Sequence, residues 1–490
     1  MDFLLKAWTY FASNILTQPA FFIGLIVFLG YSLLRRPFHE SFAGFIKATV
    51  GYLVLGVGSG GLVNGFRPIL VGLKDKFNLS AVVIDPYFGQ NAVTAGLPEQ
   101  FGRTFSQVMI LLLIALTLNI LLVAFRKVTK IRSIFTTGHV QIQQASIAFW
   151  IILFAFPTLG DPQILMLMGV LLGVYWAVGS NLTVEITQDL TEGGGFCVGH
   201  QQMFGLFIFS KLAEKMNRKG NSKRLEDISL PGWLSIFNEN VVATSVLMLL
   251  FFGTILVILG QPFLIEKGFL AAGKSFEFYV LTTALNFAVY LAILQLGVRM
   301  FVTELTASFQ GISQKLLPGA VPGIDCAATY GFGSPNAVTI GFLFGAIGQF
   351  LAIGTLILLK SPVLIIAGFV PVFFDNATIA VFANNKGGIK AAMLFPFIAG
   401  LIQVFGSAFI VQFIGLAKYG GYLGMFDWAT VWPLITISLK YLGFIGVAIS
   451  VIVLLAIPQI QYYKNKENYF LITDDYEAYR AKKDAEAAQI

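Results

Sequence analysis

Charged residues are scarce in this chain of 490 residues. Asp, Glu, Lys and Arg make up only 12% of it, whereas an ordinary soluble domain carries roughly 25%. So few charges exclude a conventional water-exposed surface, and 57% of the residues are hydrophobic. Windows of about 20 apolar residues, each long enough to cross roughly 30 Å of hydrocarbon, recur along nearly the whole length. The sequence therefore predicts an all-α integral membrane protein whose solvent is the lipid bilayer.

Reactive residues and enzyme signatures are also few. The two cysteines, Cys197 and Cys326, cannot form a disulfide framework or a metal cluster, so we expect each to be a small packing residue. There is no Walker-type phosphate loop, no His-Glu-x-x-His pair and no serine elbow with a triad. These absences exclude ATP-driven pumping by this chain alone. We expect neither a cofactor nor a bound metal.

Hydropathy predicts about eleven spans, an odd number that places the two termini on opposite sides of the membrane. The first span lacks a basic stretch before it and a small-residue cleavage site after it, which favours a retained span over a secretory signal peptide. The predicted spans are Leu16 to Leu34, Gly44 to Val63, Phe105 to Phe125, Gln141 to Phe156, Ile164 to Val178, Val241 to Leu259, Phe278 to Val298, Ala337 to Leu359, Val363 to Phe382, Ala391 to Leu416 and Tyr441 to Ile457.

The distribution of Lys and Arg predicts an outside amino terminus and a cytoplasmic carboxyl terminus. This orientation places about 21 of the 32 basic residues in cytoplasmic loops and in the tail after Pro458. The cytoplasmic set includes Arg35, Arg36, the cluster from Arg126 to Arg132 and the run from Lys211 to Arg224. Topology thus explains the net charge of +7, and no nucleic-acid partner is needed.

Two stretches about 241 residues apart resemble each other, which indicates an internal repeat. Because the second predicted span runs outward and its counterpart runs inward, the halves would be inverted repeats. We divide the chain into a first repeat (1–235), a second repeat (236–430), a last span (431–460) and a cytoplasmic tail (461–490). The recurring elements are Leu55-Gly56-Val57, Asp85 and Asn91-Ala92-Val93-Thr94, then Leu296-Gly297-Val298, Asp325 and Asn336-Ala337-Val338-Thr339.

Residues 303–335 are apolar but repeatedly interrupted by proline and glycine. Because an unpaired backbone cannot face lipid, such a stretch must be buried in protein or line a wet cavity. We expect a re-entrant hairpin near the midplane, where transporters with inverted repeats hold their substrates. The interruptions are Pro318, Gly319, Pro322, Gly323, Gly331, Gly333 and Pro335.

Two of the three histidines lie in similar phrases, Gly138-His139-Val140-Gln141-Ile142-Gln143-Gln144 and Gly199-His200-Gln201-Gln202. A histidine at a helix start is often a capping or packing residue. In a membrane span, however, an ionisable side chain usually marks a substrate or proton path. The glutamines add neutral donor and acceptor pairs, which suit a polyhydroxylated ligand.

Asp325 lies in the interrupted segment without a basic residue nearby in sequence. It could cap a hairpin helix through its carboxylate, or it could accept hydrogen bonds from substrate hydroxyls. Asp85 and Tyr87 lie at the corresponding place in the first repeat, where the tyrosine could offer a ring face and a phenol donor to the same cavity.

At these motifs the sequence resembles the ascorbate family of phosphotransferase-system permeases, the IIC component. The likeness extends along nearly the whole chain up to about Ile457. The resembling phrases are Gly138-His139 with Gln143-Gln144, Gly193 to Phe196 leading into Gly199-His200-Gln201-Gln202, Leu230-Pro231-Gly232-Trp233-Leu234, Gly297 to Val302 with Glu304-Leu305, Gly311-Ile312-Ser313-Gln314, Pro318-Gly319-Ala320-Val321, Asp325-Cys326-Ala327-Ala328 with Pro335-Asn336-Ala337-Val338, and Phe374-Asp375-Asn376-Ala377-Thr378-Ile379.

This resemblance implies a homodimeric permease of the bacterial cytoplasmic membrane rather than an enzyme. Such a permease binds L-ascorbate from outside and presents it to the cytoplasmic IIB protein, which is itself supplied by IIA. The IIB phosphocysteine then converts the released sugar acid to L-ascorbate 6-phosphate. The positions implied for substrate binding are Pro86, Tyr87, His139, Gln141, Gln143, His200, Gln201 and Asp325, with Pro86 standing where a polar residue is expected.

The chemistry of these residues agrees with ascorbate, a monoanion at neutral pH, because they are mostly neutral donors. Asp325 could also act as a base for the attacking hydroxyl. The alternative is an ion-coupled transporter of a small organic anion, in which Asp325 and a histidine would carry the proton. Composition does not distinguish this transporter from a phosphotransferase-system permease. A phosphoryl acceptor on this chain is disfavoured, because both cysteines lie within or beside membrane motifs.

Overall fold

The computed structural model describes residues 19–77, 80–217, 222–228, 231–234, 239–317 and 319–487. The beginning of the first predicted span, part of the basic run from Lys211 to Arg224, Leu230 of one family phrase, Pro318 of the hairpin and the last three residues of the tail lie outside the described residues.

Helices account for most of the described chain. Their order is α1 (Pro19–Leu33), α2 (Phe38–Phe77), α3 (Pro86–Phe101), α4 (Phe105–Ala124), α5 (Arg126–Thr129), α6 (Gly138–Ala155), α7 (Asp161–Thr191), α8 (Met203–Met216), α9 (Asn240–Met248), α10 (Thr254–Leu259), α11 (Gln261–Glu266), α12 (Phe276–Leu316), α13 (Pro335–Leu358), α14 (Asn376–Phe413), α15 (Phe426–Ala429), α16 (Val431–Lys464), α17 (Leu471–Asp474) and α18 (Tyr476–Ala487). Shorter 3-10 turns cover Leu225–Asp227, Cys326–Phe332 and Leu416–Tyr419, and π-helical turns cover Leu249–Gly253 and Val370–Asp375.

Six helical stretches of the described residues are long and apolar enough to cross a membrane. This finding confirms the helical membrane protein predicted from composition, whereas the count of eleven spans and their orientation stay predictions. The six stretches are Phe38–Gly58, Phe105–Ala124, Asp161–Thr191, Pro335–Leu358, Val370–Phe413 and Phe426–Lys464.

The predicted span from Val363 to Phe382 is wrong at its beginning. Residues Val363–Ala367 form a β-strand, and helical structure begins only at Val370. A short apolar run rich in β-branched residues cannot be assigned to helix or strand by periodicity, and here pairing with a distant strand decides the outcome. The helix then continues through the next predicted span to Phe413, kinked where Gly388 adopts a φ of 71°.

Among the residues that the structure describes, six short strands form two parallel sheets, which the all-α prediction did not include. The strands are β1 (Ser80–Ile84), β2 (Ser133–Phe135), β3 (Cys197–Val198), β4 (Val321–Ile324), β5 (Val363–Ala367) and β6 (Gly421–Tyr422). One sheet has the order β5-β1-β6 and the other has the order β2-β4-β3. Each sheet therefore has a central strand from one half of the chain and two flanking strands from the other half.

The same order of elements occurs in both halves. Helices α2 and α12, of 40 and 41 residues, each lead towards a central strand, β1 or β4. Asp85 follows the first central strand and Asp325 follows the second. These correspondences agree with an internal repeat, whereas its inverted orientation and the domain boundaries stay predictions.

In the predicted cytoplasmic tail, the helices α17 and α18 fold back onto the body of the protein. Ile472 and Tyr479 are buried against residues of α7, β3 and β4. Arg126 binds the Asp474 carboxylate with distances of 2.9 and 3.2 Å and also donates to the Gly319 carbonyl at 3.0 Å. The tail thus braces the segment that leads into β4.

Candidate functional site

The carboxyl ends of β3 and β4 and the residues after β2 meet at one edge of the second sheet. The Thr136 amide donates to the Gly323 carbonyl and the Gly199 amide donates to the Ile324 carbonyl, both at 2.8 Å. A Cβ atom at Gly199 would lie 2.6 Å from the Gly323 carbonyl oxygen, so this close approach requires glycine. Because the strands are parallel, the residues that follow them converge here, as at the substrate-binding edges of other parallel sheets. The chemically active residues brought together are His139, His200 and Asp325.

His139 and Asp325 form a side-chain pair at this edge. The His139 Nε2 atom lies 3.3 Å from the Asp325 Oδ2 atom. The His139 side chain is 10% exposed and the Asp325 side chain 38% exposed, so the pair lies at the wall of an accessible space. His139 Nδ1 is buried without a hydrogen-bond partner among the described residues. The pair therefore retains unused capacity to bind a ligand.

His200 is oriented by the glutamine two residues further on. Its Nδ1 atom lies 2.7 Å from Gln202 Oε1, which also accepts a hydrogen bond from the Gln201 amide at 3.0 Å. Since Gln202 Oε1 is an acceptor, the neutral His200 ring carries its proton on Nδ1 and leaves a lone pair on Nε2. The ring centroids of His139 and His200 are 6.3 Å apart.

Three buried glutamines form the neutral part of the site. Gln201 Nε2 donates to Gln143 Oε1 at 2.8 Å, which joins the two histidine phrases. Gln141 Nε2 instead donates to the Phe135 carbonyl at 3.1 Å and so holds the end of β2. The Oε1 atoms of Gln141 and Gln201 have no partner among the described residues. Buried amide oxygens without partners are costly, which favours their use by a bound molecule.

Gln144 braces the site from behind. Its Nε2 atom donates to the His200 carbonyl at 3.2 Å, and its Oε1 atom accepts from Trp176 Nε1 at 2.6 Å. Both polar ends of the side chain are therefore occupied by protein groups. Gln144 belongs to the first histidine phrase, but the sequence gives no sign that it supports the pocket rather than lines it.

Tyr87 approaches the same cluster from the start of α3. Its side chain is buried, and its phenol interacts with Gln143 and with the charge of Asp325. Pro86 occupies the first position of the helix, where its missing amide and fixed φ are favourable. Pro86 is buried and lacks a side-chain hydrogen-bonding group, so at this position it can offer a ligand only apolar contact and a carbonyl.

Asp85 follows β1, and both of its carboxylate oxygens accept hydrogen bonds from backbone amides. Its Oδ1 atom accepts from the Tyr87 amide at 3.1 Å, and its Oδ2 atom accepts from the Val370 amide at 3.2 Å. The residue is 1% exposed. This carboxylate therefore ties the start of α3 to the π-helical turn that precedes α14.

Asp325 differs from Asp85 in one of its two oxygens. Its Oδ1 atom accepts from the Ala327 amide at 2.9 Å, the same local cap. Its Oδ2 atom faces the His139 ring instead of a backbone amide. The strand pairing makes His139 the counterpart of Val370. Phe135 and Ile366 each pair with the residue two positions before the aspartate of their sheet, and His139 and Val370 each lie four residues after them. At Asp325, a contact with the His139 side chain thus takes the place of the hydrogen bond that Asp85 accepts from a backbone amide.

The contacts connect Tyr87, His139, Gln143, His200, Gln201 and Asp325 into one cluster. Two residues outside that set also contribute, because Gln202 orients His200 and Gln144 supports its backbone. Both follow predicted residues in the histidine phrases, and only the tertiary contacts separate their roles. His139, His200 and Asp325 each also present a metal-ligating atom, and these atoms lie within 4.8 Å of one another.

Comparison with known proteins gives concordant results. The family described as "PTS system sugar-specific permease component" (EIIC-GAT) matches residues 14–433, a range that includes every residue of the cluster. The chain is also similar to the "Ascorbate-specific PTS system EIIC component" of Mycoplasma pneumoniae (strain ATCC 29342 / M129), with 34% identity over 444 residues. That likeness covers 83% of this chain and 67% of the relative.

Proposed function

Since the chain belongs to the family of PTS sugar-specific permease components, we propose that it binds L-ascorbate at the cluster around His139 and carries it across the membrane. The chain is a multi-pass transport subunit of the cytoplasmic membrane and not the phosphoryl-transfer enzyme of its system. The observation that carries the substrate assignment is the convergence of neutral polar side chains and one carboxylate at a single sheet edge, together with the ascorbate-specific relative.

The unused polar atoms of the cluster suit a small polyhydroxylated anion. Gln141 and Gln201 offer amide oxygens to hydroxyl groups. The Tyr87 phenol, which also interacts with Gln143, can donate its hydroxyl proton to an anionic oxygen. Asp325 supplies one carboxylate oxygen for a hydroxyl, while its contact with His139 limits the repulsion that an isolated carboxylate would exert on an anion.

In this proposal ascorbate is phosphorylated by the phosphocysteine of a partner IIB protein, itself supplied by IIA, to give L-ascorbate 6-phosphate. Cys197 and Cys326 are both buried, which agrees with a phosphoryl donor outside this chain. Asp325 then has a second role, as the hydrogen-bond acceptor for the primary hydroxyl that attacks phosphorus. A general base of this kind contributes typically about 10² to 10⁴-fold to a rate.

We further propose a homodimer of eleven-span subunits, each built from two inverted repeats with the amino terminus outside. The exchange of central and flanking strands between the two halves supports the repeats, because each half supplies the same set of strands to the other. A re-entrant hairpin around β4 would carry Asp325 to the midplane, where its backbone is paired with protein strands rather than exposed to lipid.

Proteoliposomes that contain the purified chain test the transport mechanism. Uptake of labelled ascorbate should require phosphorylated IIB inside the vesicles and should deliver the phosphate ester. The alternative, an ion-coupled transporter, draws support from the His139 and Asp325 pair, which could share a proton. Concentrative accumulation of free ascorbate driven by an imposed pH gradient would contradict the phosphorylation-coupled mechanism and favour that alternative.

Two variants test the site itself. His139→Ala and His200→Ala should each weaken ascorbate binding by about 1–3 kcal/mol, the cost of leaving a buried polar group without its hydrogen bond. Equilibrium binding to protein in detergent, with size-exclusion profiles as the check on folding, gives the measurement. Normal affinity in both variants would place the ligand elsewhere.

A third variant tests the second role of Asp325. Asp325→Asn should lower single-turnover phosphorylation by phospho-IIB by about 10² to 10⁴-fold at saturating ascorbate. Near-normal turnover there would leave Asp325 as a binding residue alone.

A further inference from the structure

Two imidazoles and a carboxylate converge in the cluster with the donor types of a transition-metal site. One ligand atom from each of His139, His200 and Asp325 lies within 4.8 Å of the other two. The separation of 3.3 Å between His139 Nε2 and Asp325 Oδ2 matches the ligand spacing around a tetrahedral zinc ion with bonds of about 2.0 Å. The three ligands come from separate segments, so the arrangement is a product of the sheet and cannot be read from a local motif.

Two of these ligands are held by the kind of outer contacts that metal ligands have. The Nδ1 atom of His200 is fixed by Gln202 Oε1 at 2.7 Å, which leaves Nε2 free to coordinate. Asp325 uses Oδ1 to accept the Ala327 amide and keeps Oδ2 on the side of the histidines. Outer contacts of this type set the tautomer and the direction of a metal ligand.

The exposure of the site also favours a small ion. Asp325 is 38% exposed and can receive a hydrated cation, whereas the two histidines behind it are largely buried. The His139 Nδ1 atom has no partner among the described residues, so little holds its ring against a modest rotation towards a metal. Imidazole ligands favour zinc and its neighbours over magnesium or calcium, which prefer sites made of oxygen alone.

We propose that His139, His200 and Asp325 bind one Zn²⁺ ion per chain when the site holds no sugar acid, with water completing the coordination. Zinc then occupies atoms that the substrate needs, so it inhibits transport by exclusion. This competition rests on the proposed function, whereas the metal site does not.

The test uses the full-length protein in detergent, with zinc as the only added ligand. Isothermal titration should show one saturable zinc site per chain and no comparable binding of Mg²⁺. His139→Ala and His200→Ala should each weaken zinc binding by about 100-fold or more, since loss of an outer contact alone costs about 10–100-fold. Gln202→Ala, which removes only such an outer contact, should fall within that smaller range.

The third histidine supplies a matched control. His39 is exposed near the start of α2 and is not one of the three ligands, so His39→Ala should leave zinc affinity unchanged. Zinc affinity that falls in the His39 variant but not in the His139 and His200 variants would overturn the site. His139→Gln provides a second variant of nearly equal volume if the alanine variant does not remain monodisperse.

Adding ascorbate to the zinc titration separates the two proposals. Mutual exclusion of zinc and ascorbate supports a shared site. Ascorbate binding without any saturable zinc binding overturns the metal site and leaves the proposed function intact. Zinc binding that depends on the three ligands but is indifferent to ascorbate overturns the competition, and it counts against the cluster as the ascorbate site.

Discussion

Asparagine substitutions at Asp85 and Asp325 should separate a structural carboxylate from a binding one. Asp85 accepts two backbone amides, from Tyr87 and Val370, in a site with 1% exposure. Asparagine keeps one acceptor oxygen but turns its NH₂ group towards the second amide, which is left buried and unpaired. One unsatisfied buried donor costs about 1–3 kcal/mol, so Asp85→Asn should lower the free energy of unfolding by about that amount.

Asp325→Asn should behave differently, although the two residues occupy corresponding places. Its cap survives, because the side-chain oxygen can still accept from the Ala327 amide. The contact that is lost is the one with His139. Because the Asp325 carboxylate is 38% exposed, water can replace that contact, and the free energy of unfolding should change by less than about 1 kcal/mol. Under the proposed function, the binding free energy of ascorbate should weaken by about 1–3 kcal/mol, since a substrate hydroxyl would lose its charged acceptor.

Both variants should be measured on the same preparations, by thermal unfolding in detergent and by equilibrium binding of labelled ascorbate. We expect a lower Tm with near-normal affinity for folded Asp85→Asn, and a near-normal Tm with reduced affinity for Asp325→Asn. If Asp325→Asn is as unstable as Asp85→Asn and still binds ascorbate normally, the two carboxylates have the same structural role and the reasoning fails.

Two further predictions concern the packing around the sheets and the tail. Gly421→Ala should destabilise the protein by about 1–3 kcal/mol, because the added Cβ would overlap the Phe88 carbonyl oxygen, whereas Gly56→Ala has open space and serves as the control in the same unfolding assay. Arg126→Gln should cost only about 0.2–1 kcal/mol through its ion pair with Asp474, since both side chains are partly exposed. A double-mutant cycle with Asp474→Asn measures that coupling, and a value of zero would show that this ion pair does not help to hold the tail.

The helices were predictable because apolar length is itself the signal in a membrane protein. The strands were not, because β3 has only two residues and β5 is an apolar run indistinguishable from the start of a span. Their existence depends on partners far away in the chain, such as the pairing of β2 with β4. The interruption by proline and glycine did indicate irregular backbone, and the strand β4 lies there. The predicted segment from 303 to 335 was nevertheless wrong at its beginning, because residues 303–316 belong to the helix α12.

The residues of the site were predictable as types but not as a geometry. His139 and His200 stood out because ionisable residues are rare in apolar sequence, and Asp325 because it lies in the interrupted segment. Their convergence requires the register of three strands, which no local pattern contains. The roles of Gln202 and Gln144 depend on hydrogen bonds to His200, which is positioned by residues distant in the sequence, and therefore appeared only in the structure.

The exchange of strands between the halves has a consequence for biosynthesis. Strand β1 leaves the ribosome long before β5 and β6 exist, and at about 5–20 residues per second the interval before β5 is synthesised is roughly 15–55 s. During that time its backbone groups have no sheet partners, a state that the lipid interior does not tolerate. The nascent first half must therefore wait in a sheltered or hydrated position until the second half arrives. A fragment that ends near residue 235 should be degraded when expressed alone and rescued when the remaining half is expressed beside it.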